Sequence, residues 1–213
     1  MKRHLELFSG THSFGKVSHD LDYEVFSLDR DLKAECPFGS GYKSQKHIQE
    51  DIMSWDYKIY PKGHFHLITA SPVCLWWSVC RRSWIGRKIK AHGDTIITKE
   101  ILDEDIERYG IPMVDKVFEI IEYFNPEYFI IENPKTGKMK EYISDIIPYY
   151  DIDYCRYGLL YKKPTRFWTN IKGGEFKKCN HKKHNGGESW NKGRLERYKI
   201  PEKIIYELLN LIK

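Results

Sequence analysis

The chain has no apolar run approaching the roughly 20 residues that cross a bilayer, so no membrane helix is expected. Its five cysteines are odd in number and lack the spacing of a disulfide framework, which points to a reducing compartment. Met1-Lys2-Arg3-His4 runs straight into a strand pattern, leaving no room for a signal peptide. No internal repeat is visible. These absences lead us to expect a soluble intracellular protein of the cytoplasm, with no membrane and no obligate protein partner. A further scarcity is local: from Val79 to Gly93 there is no acidic residue, while Arg81, Arg82, Arg87, Lys88 and Lys90 fall inside that stretch. Residues 151–213 are similarly skewed, with fifteen Lys/Arg against seven Asp/Glu, whereas residues 1–150 hold twenty against twenty-three. A solvated surface can carry one such cluster, but two are the electrostatic footprint expected for a phosphate backbone.

What is present supports a packed core, since 41% of the 213 residues are apolar and 15% aromatic. Strand patterns at His4–Phe8, Glu24–Leu28, Phe65–Thr69 and Tyr128–Ile131 alternate with helical ones, one opening at Gly15–His19. In the clearest helix, Ile111–Phe124, apolar residues recur at helical spacing; Pro112 is tolerated in its first turn and Asn125-Pro126 ends it. Such alternation predicts an α/β fold with a mostly parallel sheet flanked by helices. Short strands at Ile152–Tyr157 and Arg166–Asn170 would close the sheet. One catalytic domain, 1–213, is expected: a core over 1–171, a glycine-rich basic excursion over 172–195, and a C-terminal segment, 196–213, whose amphipathic helix returns to the core.

Cys74 follows the apolar run His66–Ala70 in Ser71-Pro72-Val73-Cys74, at the carboxyl mouth of a strand. Open α/β sheets do their chemistry there, so the thiol is a candidate nucleophile, although a lone cysteine is more often a buried small hydrophobe. Leu7–Gly15 reads as a strand, a glycine turn and a helix start, where backbone can approach a ligand closely. Asp29 ends the second strand and can accept from ribose hydroxyls or simply cap a turn. Glu132-Asn133-Pro134 ends a later strand.

Together these segments resemble the DNA cytosine-5 methyltransferases, more closely their compact phage and large-virus forms. The matching motifs run in family order: Leu7–Gly15, Phe26–Asp29, Asp51-Ile52 with Trp55-Asp56-Tyr57, Ser71–Cys74, Glu132-Asn133-Pro134, Tyr157-Gly158 with Lys163–Thr165 and Trp168–Asn170, and Arg197–Leu209. The resemblance implies a Rossmann-like class I methyltransferase fold that binds S-adenosylmethionine, with a much reduced target-recognition region. It implies that the turn Gly10, Thr11, His12, Ser13 and Gly15 faces the methionine moiety, Asp29 the ribose, Asp51 with Ile52 the adenine, and that Phe8, Ser9, Arg30, Ser71 and Pro72 border the same site. Cys74 would add to cytosine C6 and Glu132 would serve ring N3 as an acid. The family's Arg-x-Arg pair maps onto Lys163 with either Thr165 or Arg166. DNA, double-stranded and with its target base flipped, would meet Trp76, Trp77, Ser78, Arg81 and Arg82 on a mobile loop, Asn133 and Pro134 beside the acid, and Lys177, Lys178 and Lys182 in the excursion.

The chain departs from the family pattern at Val73, where Pro is usual, at His12, where Gly is common, and at His66, where compact relatives often have Asp. A tRNA cytosine-5 enzyme and a catalytically idle DNA-binding relative are the alternatives. Cys179-x-His181-x-x-His184 has metal-like spacing, but sequence supplies no fourth ligand beyond the bare candidate Cys155, so phosphate contact by the interleaved lysines is expected and metal is not.

Overall fold

The computed structural model describes residues 1–31, 45–143, 147–184 and 197–212. Among these, strands β1 (Arg3–Leu7), β2 (Glu24–Leu28), β3 (Gln45–Ile48), β4 (Leu67–Ala70), β5 (Tyr128–Pro134), β6 (Tyr149–Asp153) and β7 (Pro164–Thr169) form one sheet in the order β3-β2-β1-β4-β5-β7-β6. Pairings from β3 across to β5 are parallel, and β7 runs antiparallel to both β5 and β6. The helices are α1 (Ser13–Asp20), α2 (Lys99–Asp105), α3 (Ile111–Phe124), α4 (Met139–Ile143) and α5 (Glu202–Leu209). The expected α/β architecture is therefore the one observed.

Period-two alternation divides the sheet's side chains between two layers. Leu5, Leu7, Phe26, Ile68, Ala70, Ile131 and Trp168 pack with Val114, Val117, Ile120 and Phe124 of α3. On the opposite face Val25, Leu67, Ile130 and Phe167 meet Phe14 and Val17 of α1 and Ile204, Ile205, Leu208 and Leu209 of α5. This second face also buries polar groups. The His4 ring bonds Thr69 Oγ1 and Ser18 Oγ, each at 2.8 Å, and burial lowers its pKa to about 4, against a smaller upward pull from Glu6.

α3 has the predicted bounds, with proline in its first turn and Asn125 in the left-handed region at its end. α5 returns to the core as expected, and Tyr206 donates to Asp20 at 2.8 Å. The last two strands differ from expectation. β6 lies three residues earlier than read, and Tyr154–Tyr157 is a 3₁₀ turn closed by Gly158 at φ 99°. β3, α2 and α4 were not anticipated; at 4, 7 and 5 residues they are too short to display a period. Residues 185–195 of the basic excursion lie outside the described residues. Among the described residues no helix is long and apolar enough to cross a membrane.

Candidate active site

The carboxyl end of β1 carries three left-handed residues at alternate positions: Phe8 (φ 56°), Gly10 (φ 44°) and His12 (φ 52°). For phenylalanine and histidine this costs on the order of 1–3 kcal/mol each, a strain that clusters where a backbone must cradle a ligand. Hydrogen bonds hold the turn in place. Gly10 N–H donates to Asp29 Oδ2 at 2.9 Å, Ser9 N–H to Leu28 O at 3.1 Å, and His12 N–H to Ser9 O at 2.6 Å. Thr11 Oγ1 lies 2.9 Å from Ser13 Oγ, which also accepts the Ile200 N–H at 3.1 Å, so the C-terminal segment braces the turn.

α1 has no side-chain cap from His12. Its first amides are taken by Glu6, reaching out of β1 to accept the N–H groups of Phe14 and Gly15 at 3.0 Å each. A side chain at position 15 would force Glu6 to move, because a Cβ there would fall 2.6 Å from Glu6 Oε2. Sequence reading missed Glu6; the available signal was an acid between Leu5 and Leu7, on a strand buried from His4 onward.

The structure redirects His12, whose buried ring turns inward to Ser27 Oγ (3.3 Å) and stands edge-on to His47 (5.2 Å). Only its backbone belongs to the turn. Asp29 N–H bonds Ile48 O at 3.2 Å, bringing the ends of β2 and β3 together. Arg30 pairs with Asp51 at 3.3 Å, and Asp51 also accepts the Met53 N–H at 2.9 Å. Ile52, expected at an adenine, is buried against the α3-side core next to Asp51. Buried Ser9 Oγ has no hydrogen-bond partner among the described residues. An orphaned hydroxyl, a strained glycine turn and two carboxylates at adjacent strand ends fit a cofactor bearing an amino acid and a ribose.

β4 and β5 pair with Ala70 opposite Ile131, so Ser71, the first residue past β4, stands beside Glu132, which continues in β5 against Phe167 of β7. Glu132 is buried and accepts from Tyr154 OH at 3.1 Å. Burial pushes its carboxyl group up from the ordinary value, offset in part by the Lys163 ammonium and by the hydroxyls of Tyr154 and Ser71. Asn133 Nδ2 donates to Pro72 O at 2.8 Å, clamping the turn that carries half-buried Cys74 onto β5.

β7 resolves which residue accompanies Lys163. Glu132 pairs with Phe167 and Asn133 with Arg166, so Lys163, Thr165 and Phe167 share the Glu132 side while Arg166 stands on the other. Arg166 is held there by Asp151 at 2.7 and 3.0 Å and lies 3.5 Å from the Tyr149 ring centre. Its guanidinium therefore does not join Glu132. Lys163 lies over the Tyr154 ring at 4.9 Å and donates to Arg197 O at 3.0 Å.

No protein-family model matches the chain. Over 233 aligned residues it is 35% identical to the "Probable DNA (cytosine-5)-methyltransferase" of Frog virus 3 (isolate Goorha), with 98% of this chain and 99% of that one covered. The chain belongs to the DNA (cytosine-5)-methyltransferase family. Among solved structures it is similar to a protein assigned as a DNA modification methyltransferase, encoded within an E. coli prophage, at TM-score 0.51 and 17% identity over 79% of this chain. It is likewise similar to the Entamoeba histolytica methyltransferase EhMeth, at TM-score 0.50 and 15% identity over 82%. It spans 46% and 55% of those two chains, and the likeness is one of fold, that of class I S-adenosylmethionine-dependent methyltransferases.

In this methyltransferase the basic segment after Cys74 is more built than the expected mobile loop, with a 3₁₀ helix over Val79–Trp84 capped by Ser78, whose Oγ accepts the Cys80 N–H at 3.2 Å. Trp77 is a core residue, stacked on Tyr142 (5.9 Å) and filling the space that glycine leaves at position 110. Trp76 is half-buried against Tyr109, 4.7 Å away. Arg81, expected at phosphate, is buried between the Trp76 and Trp84 rings and pairs with Asp105, because a guanidinium removed from water needs a carboxylate. Arg82, Arg87, Lys88 and Lys90 remain exposed, as do Lys177, Lys178 and Lys182, and Pro134 is half-buried at the end of β5. The structure also brings Cys155, the bare fourth candidate, together with Cys179, His181 and His184.

Proposed function

We propose that this methyltransferase moves the methyl group of S-adenosylmethionine onto C5 of a cytosine in DNA, through a transient bond between Cys74 Sγ and ring C6. The observation that carries this reading is the pairing of β4 with β5, which sets Glu132, buried and with its carboxyl pKa pushed up by that burial, next to the turn that Asn133 clamps in front of Cys74. Cytosine C5 is a weak nucleophile, and the residues address that weakness in turn. The Cys74 thiolate adds to C6 and its electron pair displaces ring density toward C5. A proton or hydrogen bond from Glu132 at N3 accepts the charge this creates. C5 then takes the methyl group and loses its proton to a base, the C6–S bond breaks to restore the thiolate, and any proton lent to N3 returns to Glu132.

When bound, the cofactor supplies the electrophilic methyl group. The Phe8–Ser13 turn and Gly15 would seat its amino-acid end, Asp29 its ribose, and Asp51 with Ile52 the adenine beyond, with Arg30 paired to Asp51 at the rim. C6 is buried in a stacked duplex, so the cytosine must leave the stack, and exposed Arg82, Lys177, Lys178 and Lys182 are suited to hold the flanking phosphates. We read 172–195 as what stands in place of a recognition domain, so base readout should be limited and the target short or relaxed. The test is methyl transfer from labelled cofactor to duplex DNA and, in a parallel arm, to tRNA. Transfer to DNA that vanishes with Cys74→Ala, and a denaturation-resistant complex with 5-fluorocytosine DNA, are the expected results. Preferential transfer to tRNA, or full activity in Cys74→Ala, overturns the reading.

A further inference from the structure

The excursion that leaves β7 is fastened to the end of β6 by a row of hydrogen bonds. Gly174 N–H donates to Tyr150 OH and Lys177 N–H to Tyr157 OH, both at 3.1 Å. Cys179 N–H donates to Asp153 Oδ2 at 2.8 Å, and Arg156 Nη1 to Asn180 Oδ1 at 2.7 Å. This docking lays Cys179, His181 and His184 against Cys155 on the 3₁₀ turn. One ligand atom from each of the four lies within 4.8 Å of all the others. Cys179 Sγ is 3.7 Å from His181 Nδ1 and 3.3 Å from His184 Nε2, and the two imidazole rings meet at 88° with centroids 5.3 Å apart.

We propose that Cys155, Cys179, His181 and His184 form a structural zinc site. Zinc bonds of about 2.3 Å to sulfur and about 2.0–2.1 Å to nitrogen put tetrahedral ligand atoms roughly 3.3–3.8 Å apart, which is the spacing around Cys179. Two thiolates and two imidazoles suit a borderline-soft ion, and the absence of a carboxylate from the set argues against calcium, magnesium or manganese. Four protein ligands leave no open position, so the ion holds structure and does no chemistry. The excursion also needs such a fastening. Phe176, packed on Tyr150 (4.9 Å) and the α5-side core, anchors only the start of a stretch that is otherwise rich in lysine, and a segment without a core of its own depends on metal or other staples for its order. The ion thereby presents Lys177, Lys178 and Lys182 on a fixed scaffold.

The full chain, purified without chelator from zinc-supplemented cells, is expected to carry one zinc per molecule by elemental mass spectrometry. Cobalt exchange should give the intense visible bands of a tetrahedral two-sulfur, two-nitrogen site. Cys179→Ala and His181→Ala should each abolish both signals, whereas Cys74→Ala and Cys80→Ser should keep them; His181 is exposed, so its variant separates loss of metal from loss of fold. Folded wild-type protein without metal, metal retained in Cys179→Ala, or a Cys155–Cys179 disulfide in freshly isolated protein overturns the proposal. None of these readouts depends on methyl transfer.

Discussion

The side-chain amide of Asn133 reaches 2.8 Å across to the carbonyl oxygen of Pro72, and that bond ties the strand bearing the acid to the turn bearing the thiol. Both groups are buried, so truncating the donor strands a carbonyl. Asn133→Ala should cost about 1–3 kcal/mol in urea unfolding. A sulfur displaced by about 1 Å can lose on the order of 10²-fold in rate, so adduct formation with 5-fluorocytosine DNA should slow by about that factor. An unchanged trapping rate would show that the clamp does not position Cys74.

Glu132 predicts opposite effects on stability and rate. Its pKa is raised by burial, so at pH values just above the ordinary glutamate range the folded state holds a proton the unfolded state has released. Stability therefore falls as pH rises through that window, and the wild type carries the penalty at neutral pH. Glu132→Gln, with no proton to lose, should be the more stable protein at pH 7 and should lose the advantage below about pH 4. Methyl transfer should drop by roughly 10²–10⁴-fold, with cofactor affinity little changed. Urea midpoints at several pH values and single-turnover rates check both halves.

Gly15 is constrained by a neighbour rather than by its own backbone angle. Gly15→Ala puts a methyl group against the Glu6 carboxylate and Val25, and Glu6 cannot retreat without releasing the Phe14 amide. The expected cost is about 1–3 kcal/mol, together with weaker cofactor binding because the turn loses its anchor. Calorimetric titration with S-adenosylhomocysteine and thermal unfolding measure the two effects.

The residues that could be read from sequence are those whose role is local. The α3 boundaries follow from Pro112, Asn125 and a repeating apolar face, and the strand ends follow from where the apolar runs stop. What could not be read depends on a partner distant in sequence. Glu6 caps a helix eight residues on, and Arg81 finds Asp105 across a 3₁₀ segment, so a local reading leaves both as surface charges. Lys163 and Arg166 look equivalent until the antiparallel register of β7 sorts them to opposite faces. Cys155 joins its three partners only because residues 172–184 fold back on β6.

That distinction separates two adjacent arginines. Arg81→Ala leaves Asp105 buried without its guanidinium and should destabilise the protein by about 3–5 kcal/mol. Arg82→Ala removes an exposed side chain and should leave stability within about 0.5 kcal/mol. On the proposed substrate it should reduce DNA affinity and lower the slope of log K against log salt by about 1. Unfolding curves paired with salt-dependent binding isotherms distinguish the two, and an Arg82 variant with wild-type salt dependence would remove that residue from the phosphate contacts.

His4 gives the sheet a pH limit of its own. Its ring is neutral in the fold, with pKa lowered by burial from 6.5 to about 4, and donates on one side while accepting on the other between Ser18 and Thr69. Between those two values the unfolded chain binds the extra proton, so stability must fall as pH drops from 6.5 toward 4. The full loss amounts to about 3 kcal/mol by the lower end. His4→Gln keeps hydrogen-bonding capacity without a titrating group. It should be less stable than wild type at pH 7, because its amide fits the Ser18–Thr69 gap less well, yet its stability should change less between pH 7 and pH 4.5. Equal pH slopes in urea unfolding for the two proteins would assign the acid sensitivity to other groups.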